Sequence, residues 1–148
     1  MQEIGKLSKI LVAIDGSEPS MKAADFAISE AKRNNAKLIA LNVICLPTCS
    51  SDYVFLPYAE MVDAGKQEAE KWFEIIRHKA QQSNVEVNTD VVTESRSATA
   101  GIVDYAEKEK VDMIIVGTTG RSAIKRVLLG NVASGVVTYA TCPVMVIR

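Results

Sequence analysis

The sequence predicts an α/β fold, a parallel β-sheet with helices on both faces. Three observations predict it. Short apolar runs rich in β-branched residues recur at 10–14, 38–44, 113–116 and 144–147. Longer stretches with apolar residues at helical spacing lie between them. The resulting order, β-α-β-loop-α-β-α-β-α-β, puts a crossover between successive strands, as parallel strands require.

The first run, Ile10-Leu11-Val12-Ala13-Ile14, reads as a buried strand broken by the turn Asp15-Gly16-Ser17. Ser17 is placed to cap the next helix, with Glu18 and Pro19 in its first turn. Ala23, Ala24, Ala27, Ile28 and Ala31 supply its apolar face, and Asn34-Asn35 a polar stop. Leu38 to Ile44 is a second buried strand, interrupted only by Asn42. Residues 45–58 contain two prolines and no clear period, so they read as a long loop and a candidate lid. A long amphipathic helix follows, with Met61, Ala64, Ala69, Trp72, Phe73, Ile76 and Ala80 on its apolar face. Trp72 and Phe73 are expected in the core.

Val85, Val87, Thr89 and Val91 alternate with polar residues, the pattern of a half-exposed strand at a sheet edge. Ser97 is the expected cap of a helix carrying Ala98, Ile102, Val103 and Ala106. Met113 to Val116 forms another buried strand ending at Gly117. A helical stretch is expected over about 122–140, with a break at Gly130 and with Ile124, Val127, Leu128, Val132 and Val136 toward the core. Pro143 stops it, and Val144 to Ile147 is the last strand. Right-handed crossovers leave few topologies for such a chain. A ligand in this kind of sheet sits beyond the carboxyl ends of the strands, where the strand order reverses. The first and fourth strands side by side would join the Asp15 and Gly117 ends in one crevice.

The 148 residues, 48% hydrophobic and 24% charged, suit one domain over 1–148 and exclude a disordered chain. A net charge of −1 gives no global field for a nucleic acid or an anionic membrane. No apolar stretch approaches the roughly 20 residues that span a bilayer. The expectation is a soluble cytoplasmic protein, with no nucleic-acid or membrane partner. Cys45, Cys49 and Cys142 are too few for a disulfide framework, and with the single His78 they make no zinc site. His78 reads as a solvated surface residue. No metal site and no catalytic constellation is expected.

The chemistry collects at two strand ends. Gly117 and Gly120 allow a sharp turn and a close approach of backbone to ligand. Gly130-Asn131-Val132-Ala133 would open a helix whose free N–H groups bind an anion. Thr118, Thr119 and Asn131 add side-chain donors, and Arg121, Lys125 and Arg126 add positive charge. Neither G-x-x-x-x-G-K-S/T nor G-x-G-x-x-G is present. By spacing alone, the glycines equally describe a tight turn and a helix break, and the basic residues a solvated helix face.

The spacing Gly117-x2-Gly120-x9-Gly130 resembles the G-x2-G-x9-G-S/T signature of the universal stress protein family, in its ATP-binding branch. The opening Lys9 to Ser17, Asp112 to Arg121, Leu128-Leu129-Gly130 and the closing Cys142 to Ile147 extend the resemblance over nearly the whole chain. It implies a three-layer, Rossmann-like open twisted sheet of five parallel strands in the order 3-2-1-4-5, with helices on both faces. It implies ATP in the crevice (or ADP or AMP, with magnesium or manganese accompanying the nucleotide), slow or no hydrolysis, and dimers. Carried over by position, Ala13 and Asp15 contact adenine and ribose, and Val43 offers its backbone to the adenine edge. Val116, Gly117, Gly120 and Arg121 line the ribose and phosphates. Gly130, Asn131, Val132 and Ala133 cap the phosphates with N–H groups. Asn131 departs from the signature: it keeps a donor but is bulkier than Ser or Thr and lacks the hydroxyl.

Asp15 by itself reads as a turn residue bonding local N–H groups, and through the resemblance as an acceptor for a ribose hydroxyl or for the base. The apolar strand Val144–Ile147, at an edge, would pair with its copy in a homodimer. The resulting reading is a nucleotide-binding regulatory protein of the stress response, with an unidentified protein partner. The alternatives are a nucleotide-free dimeric module of the same fold and a phosphotransferase or ATPase. The last lacks a catalytic base and a carboxylate cluster for magnesium.

Overall fold

The computed structural model describes residues 5–46, 58–119 and 129–148. Its elements run β1 (Lys9–Ala13), α1 (Glu18–Asn34), β2 (Lys37–Cys45), α2 (Tyr58–Gln82), β3 (Val87–Glu94), α3 (Ala98–Lys108), β4 (Met113–Gly117), α4 (Asn131–Tyr139) and β5 (Val144–Ile147). The five strands form one sheet in the order β3-β2-β1-β4-β5. Every pairing is parallel. This is the expected architecture, and it sets β1 beside β4 at the reversal of strand order.

The alternation of side chains along the strands divides the core into two layers. Ile10 and Val12 of β1 point to one face, where Ala24, Ala27, Phe73 and Ile76 of α1 and α2 cover them. Leu11 points to the other, against Ile102, Ala106, Ala133 and Val136 of α3 and α4. Central strands buried on both faces explain the unbroken apolar runs in the sequence. The edge strand β3 has no such double cover, and its residues are half-buried or exposed in alternation for most of its length.

Local chemistry fixes the helix ends. Ser17 caps α1 through its Oγ, which accepts from the Ser20 N–H at 3.3 Å. Asn35 ends that helix in the left-handed region at φ 52°. Ser97 caps α3 in the same way, accepting from the Ala100 N–H at 3.0 Å. At the opposite rim from the strand carboxyl ends, Asp112 Oδ2 accepts from the N–H groups of Ser8 and Lys9, both at 2.9 Å. That carboxylate ties the start of β1 to the start of β4.

The last helix starts at the expected break. α4 begins at Asn131, because Gly130 is extended (φ −61°, ψ 159°) and its N–H donates to the Thr118 carbonyl at 2.6 Å. That bond draws the chain back to the end of β4 before the helix starts. The register then turns Ala133 and Val136 inward and leaves Val132 exposed, so the expected core place of Val132 is corrected. Ile124, Val127 and Leu128 lie outside the described residues, as does most of the expected loop over 45–58. Ala64, expected on the apolar face of α2, is exposed, whereas Ala69, Phe73, Ile76 and Ala80 are buried. His78 is exposed.

Candidate functional site

A cavity of about 460 Å³ opens beyond the carboxyl ends of β1, β2 and β4. Ala13 and Asp15 enter it from the end of β1, Val43 from β2, and Val116 and Gly117 from β4. Gly130, Asn131, Val132 and Ala133 form the wall opposite, at the start of α4. Residues 120 and 121, and with them Gly120 and Arg121, lie outside the described residues.

One part of the cavity is apolar. Leu41, Val43 and Val116 come from the sheet, and Ala98 and Ile102 from the first turns of α3. Such a slot suits a flat, largely apolar ring. Sequence reasoning missed the α3 contribution, because nothing in Ala98 or Ile102 distinguishes a residue facing a cavity from one facing a core.

The other part is polar. Ser134 N–H makes the first bond of α4, to the Gly130 carbonyl at 2.9 Å. The N–H groups of Asn131, Val132 and Ala133 therefore have no intrahelical acceptor, and no side chain among the described residues caps them. Three amides and the positive end of the helix dipole meet the cavity together, an arrangement that attracts an anion. Gly130 differs from the expectation here, since its own N–H is taken by Thr118 and not offered to the cavity.

Gly117 also differs in its reason for being glycine. A Cβ at this position would stand 2.8 Å from the backbone carbon and oxygen of Pro19. Its missing side chain lets the first turn of α1 pack against the end of β4. That close packing brings the Asp15 turn and β4 to one cavity.

Asp15 lines the cavity just beyond the end of β1. Its Oδ1 accepts from the Ser17 N–H at 2.9 Å and from the Ser17 hydroxyl. Oδ2 accepts no hydrogen bond from the described residues. Asp15 is thus a turn residue, as its local chemistry suggests, and its carboxylate also lines the cavity. It is the one charged side chain among the described lining residues. Ser20 and Asn42 line the cavity as well. Both are buried, at 4% and 8% exposure. In the sequence, Ser20 looks like part of a cap and Asn42 like an interruption of a strand; a polar residue near the end of an apolar run was the available signal.

Ionisable groups beyond the cavity brace its rim. Arg96 holds Glu94 by two bonds, Nε to Oε1 at 2.8 Å and Nη2 to Oε2 at 2.9 Å, and also pairs with Asp104. The guanidinium pulls the Glu94 carboxyl down to about 2. This brace shapes the short connection from β3 into α3, whose first residue, Ala98, lines the cavity. Burial raises the thiols of Cys45 and Cys142 above their ordinary value, with Glu94 adding to the effect at Cys45. Among the described residues no group of His, Cys, Asp and Glu could hold a metal ion. No helix of the described residues is long and apolar enough to cross a membrane.

The model of the universal stress protein family matches residues 6–148. The chain belongs to the universal stress protein family. A universal stress protein of Methanocaldococcus jannaschii is 35% identical over 144 residues, covering 95% of this chain and 81% of that protein. The solved structure of universal stress protein UspA from Lactobacillus plantarum superposes with a TM-score of 0.83 at 28% identity, covering 97% of this chain and 99% of that one. Three members of the family were solved with nucleotides: one in complex with cAMP, one from Archaeoglobus fulgidus with dAMP and one from Arabidopsis thaliana with AMP. They are 20–23% identical to this chain, with TM-scores of 0.67–0.70, and cover 95–97% of it and 90–99% of themselves. At that distance the likeness is one of fold.

Proposed function

We propose that this universal stress protein binds an adenine nucleotide in the cavity beyond β1 and β4. One observation carries the reading: an apolar slot, a carboxylate and three helix amides without an intrahelical acceptor line a single cavity. Adenine would occupy the slot, with its edge against the backbone of Val43. Asp15 would accept from a ribose hydroxyl. The phosphates would lie on the N–H groups of Asn131, Val132 and Ala133, with Gly120 and Arg121 following the polyphosphate. Family members solved with cAMP, dAMP and AMP support the ligand class, since all three ligands are adenine nucleotides. ATP is the proposed ligand, with ADP and AMP sharing the same anchors.

Any magnesium or manganese would be held by the phosphates themselves. Asp15 is the one carboxylate among the described lining residues, and it is already bonded to Ser17. We therefore assign the protein a regulatory role in stress or energy signalling, with hydrolysis slow or absent and an unidentified protein partner reading the bound state. The half-buried edge strand β5 is the proposed seam of a homodimer, pairing Val144–Ile147 with its copy.

Mass spectrometry of ligand released from freshly purified protein, followed by calorimetry with ATP, ADP and AMP, tests the reading. An adenine nucleotide recovered and rebound is the expected result. No heat from any of the three at millimolar concentration, in folded protein, would refute it.

A further inference from the structure

The peptide group joining Ile14 to Asp15 is held at both of its polar atoms. Asn42 Nδ2 donates to the Ile14 carbonyl at 2.7 Å. The Asp15 N–H donates to Ser20 Oγ at 3.3 Å. Carbonyl and N–H belong to one planar unit, so the two bonds fix the plane's orientation. Asn42 comes from β2 and Ser20 from the first turn of α1. The grip therefore spans three segments of the chain, and both gripping side chains line the cavity.

We infer that Asn42 and Ser20 are positioning residues that clamp the Ile14–Asp15 peptide and so aim the Asp15 carboxylate at a bound ribose. The inference rests on the nucleotide reading above. The need for a clamp follows from the local sequence. Asp15 lies beyond the last residue of β1, and Gly16 after it has φ +81°, a region that only glycine visits freely. Without outside support the turn would sample several orientations of the preceding plane. Each would point the carboxylate elsewhere, and binding would then require that disorder to be lost. The clamp supplies the ordering in advance. Its action is confined to the sugar end of the cavity, because the amides of Asn131, Val132 and Ala133 are held by α4 independently of this turn.

Calorimetry on the full chain tests it, with AMP and inorganic triphosphate as probes. Asn42→Leu keeps the branched outline of the side chain and removes the donor; Ser20→Ala removes the acceptor and provides a second route should the bulkier leucine fold poorly. Each variant is expected to weaken AMP by about 3- to 10-fold, the range of one modest hydrogen bond. Triphosphate affinity is expected to stay within 2-fold or so, since it needs only the helix amides. In an Asp15→Ala background, neither substitution should weaken AMP further. Equal AMP affinity in wild type, Asn42→Leu and Ser20→Ala would overturn the inference while leaving the nucleotide reading intact. So would a loss that persists undiminished without Asp15, or that falls equally on triphosphate. Wild-type protein that binds no AMP would overturn the nucleotide reading and this inference with it.

Discussion

The indole of Trp72 packs directly against Gly16. A Cβ on Gly16 would stand 2.2 Å from Trp72 Cζ2 and 2.3 Å from Cε2. The turn that presents Asp15 to the cavity is thus floored by a residue of α2. Gly16→Ala should cost about 1–2 kcal/mol for a side chain in left-handed backbone, with more from displacing the ring. Urea unfolding of the variant checks the magnitude.

The same contact provides a signal. Trp72 is the single tryptophan of the chain. Nucleotide binding at the Asp15 turn should change its emission, and the change should saturate with the calorimetric affinity. Asp15→Ala should reduce both together.

Gly117→Ala should destabilise the protein by roughly 1–3 kcal/mol, the usual cost of overpacking. The new methyl would press on the backbone of Pro19, which cannot swing aside as a side-chain tip can. Thermal unfolding reads the loss. A variant as stable as wild type would show that α1 and β4 do not need this close approach.

Asn131→Ser should tighten AMP and ATP. Asn131 stands at the first position of α4, and a hydroxyl is smaller and both donates and accepts. A gain of about 3- to 10-fold is expected, equivalent to one hydrogen bond. Calorimetry on the variant decides it.

Acid should release the brace between Glu94 and Arg96. The Glu94 carboxyl is held at about 2, against an ordinary value of 4.5. A carboxyl depressed by folding stabilises the folded chain above its ordinary value, and that support fades as pH falls from 4.5 toward 2. Glu94→Gln should therefore flatten the pH dependence of stability within that window and leave its slope near neutrality unchanged. Carboxyl chemical shifts of Glu94 followed through acid titration check the cause directly.

The sheet was legible because its central strands are buried on both faces. That burial leaves unbroken apolar runs such as Ile10–Ile14, and the half-exposed edge leaves the alternation at Val87, Thr89 and Val91. The caps at Ser17 and Ser97 were legible because they satisfy N–H groups within three residues of themselves. Contacts distant in sequence were not. Gly117 looks like a site for ligand approach, and only the fold brings Pro19 against it. Val132 looks like core by helical period, and only the fold shows that α4 turns Ala133 and Val136 inward and leaves Val132 exposed. Asn42 shows as a blemish in a strand, because its partner Ile14 is 28 residues away. The gathering of Ala13, Asp15, Val43, Val116 and Asn131 around one cavity was anticipated through family resemblance, where glycine spacing alone left a turn and a ligand site equally open.

Amide NMR of the titrated protein addresses the role of the α4 amides most directly. With AMP added, the N–H resonances of Asn131, Val132 and Ala133 should shift together, along one binding curve shared with Asp15 and Gly16. Binding of AMP that moves none of the three helix amides would place the phosphate elsewhere and contradict the site proposed here.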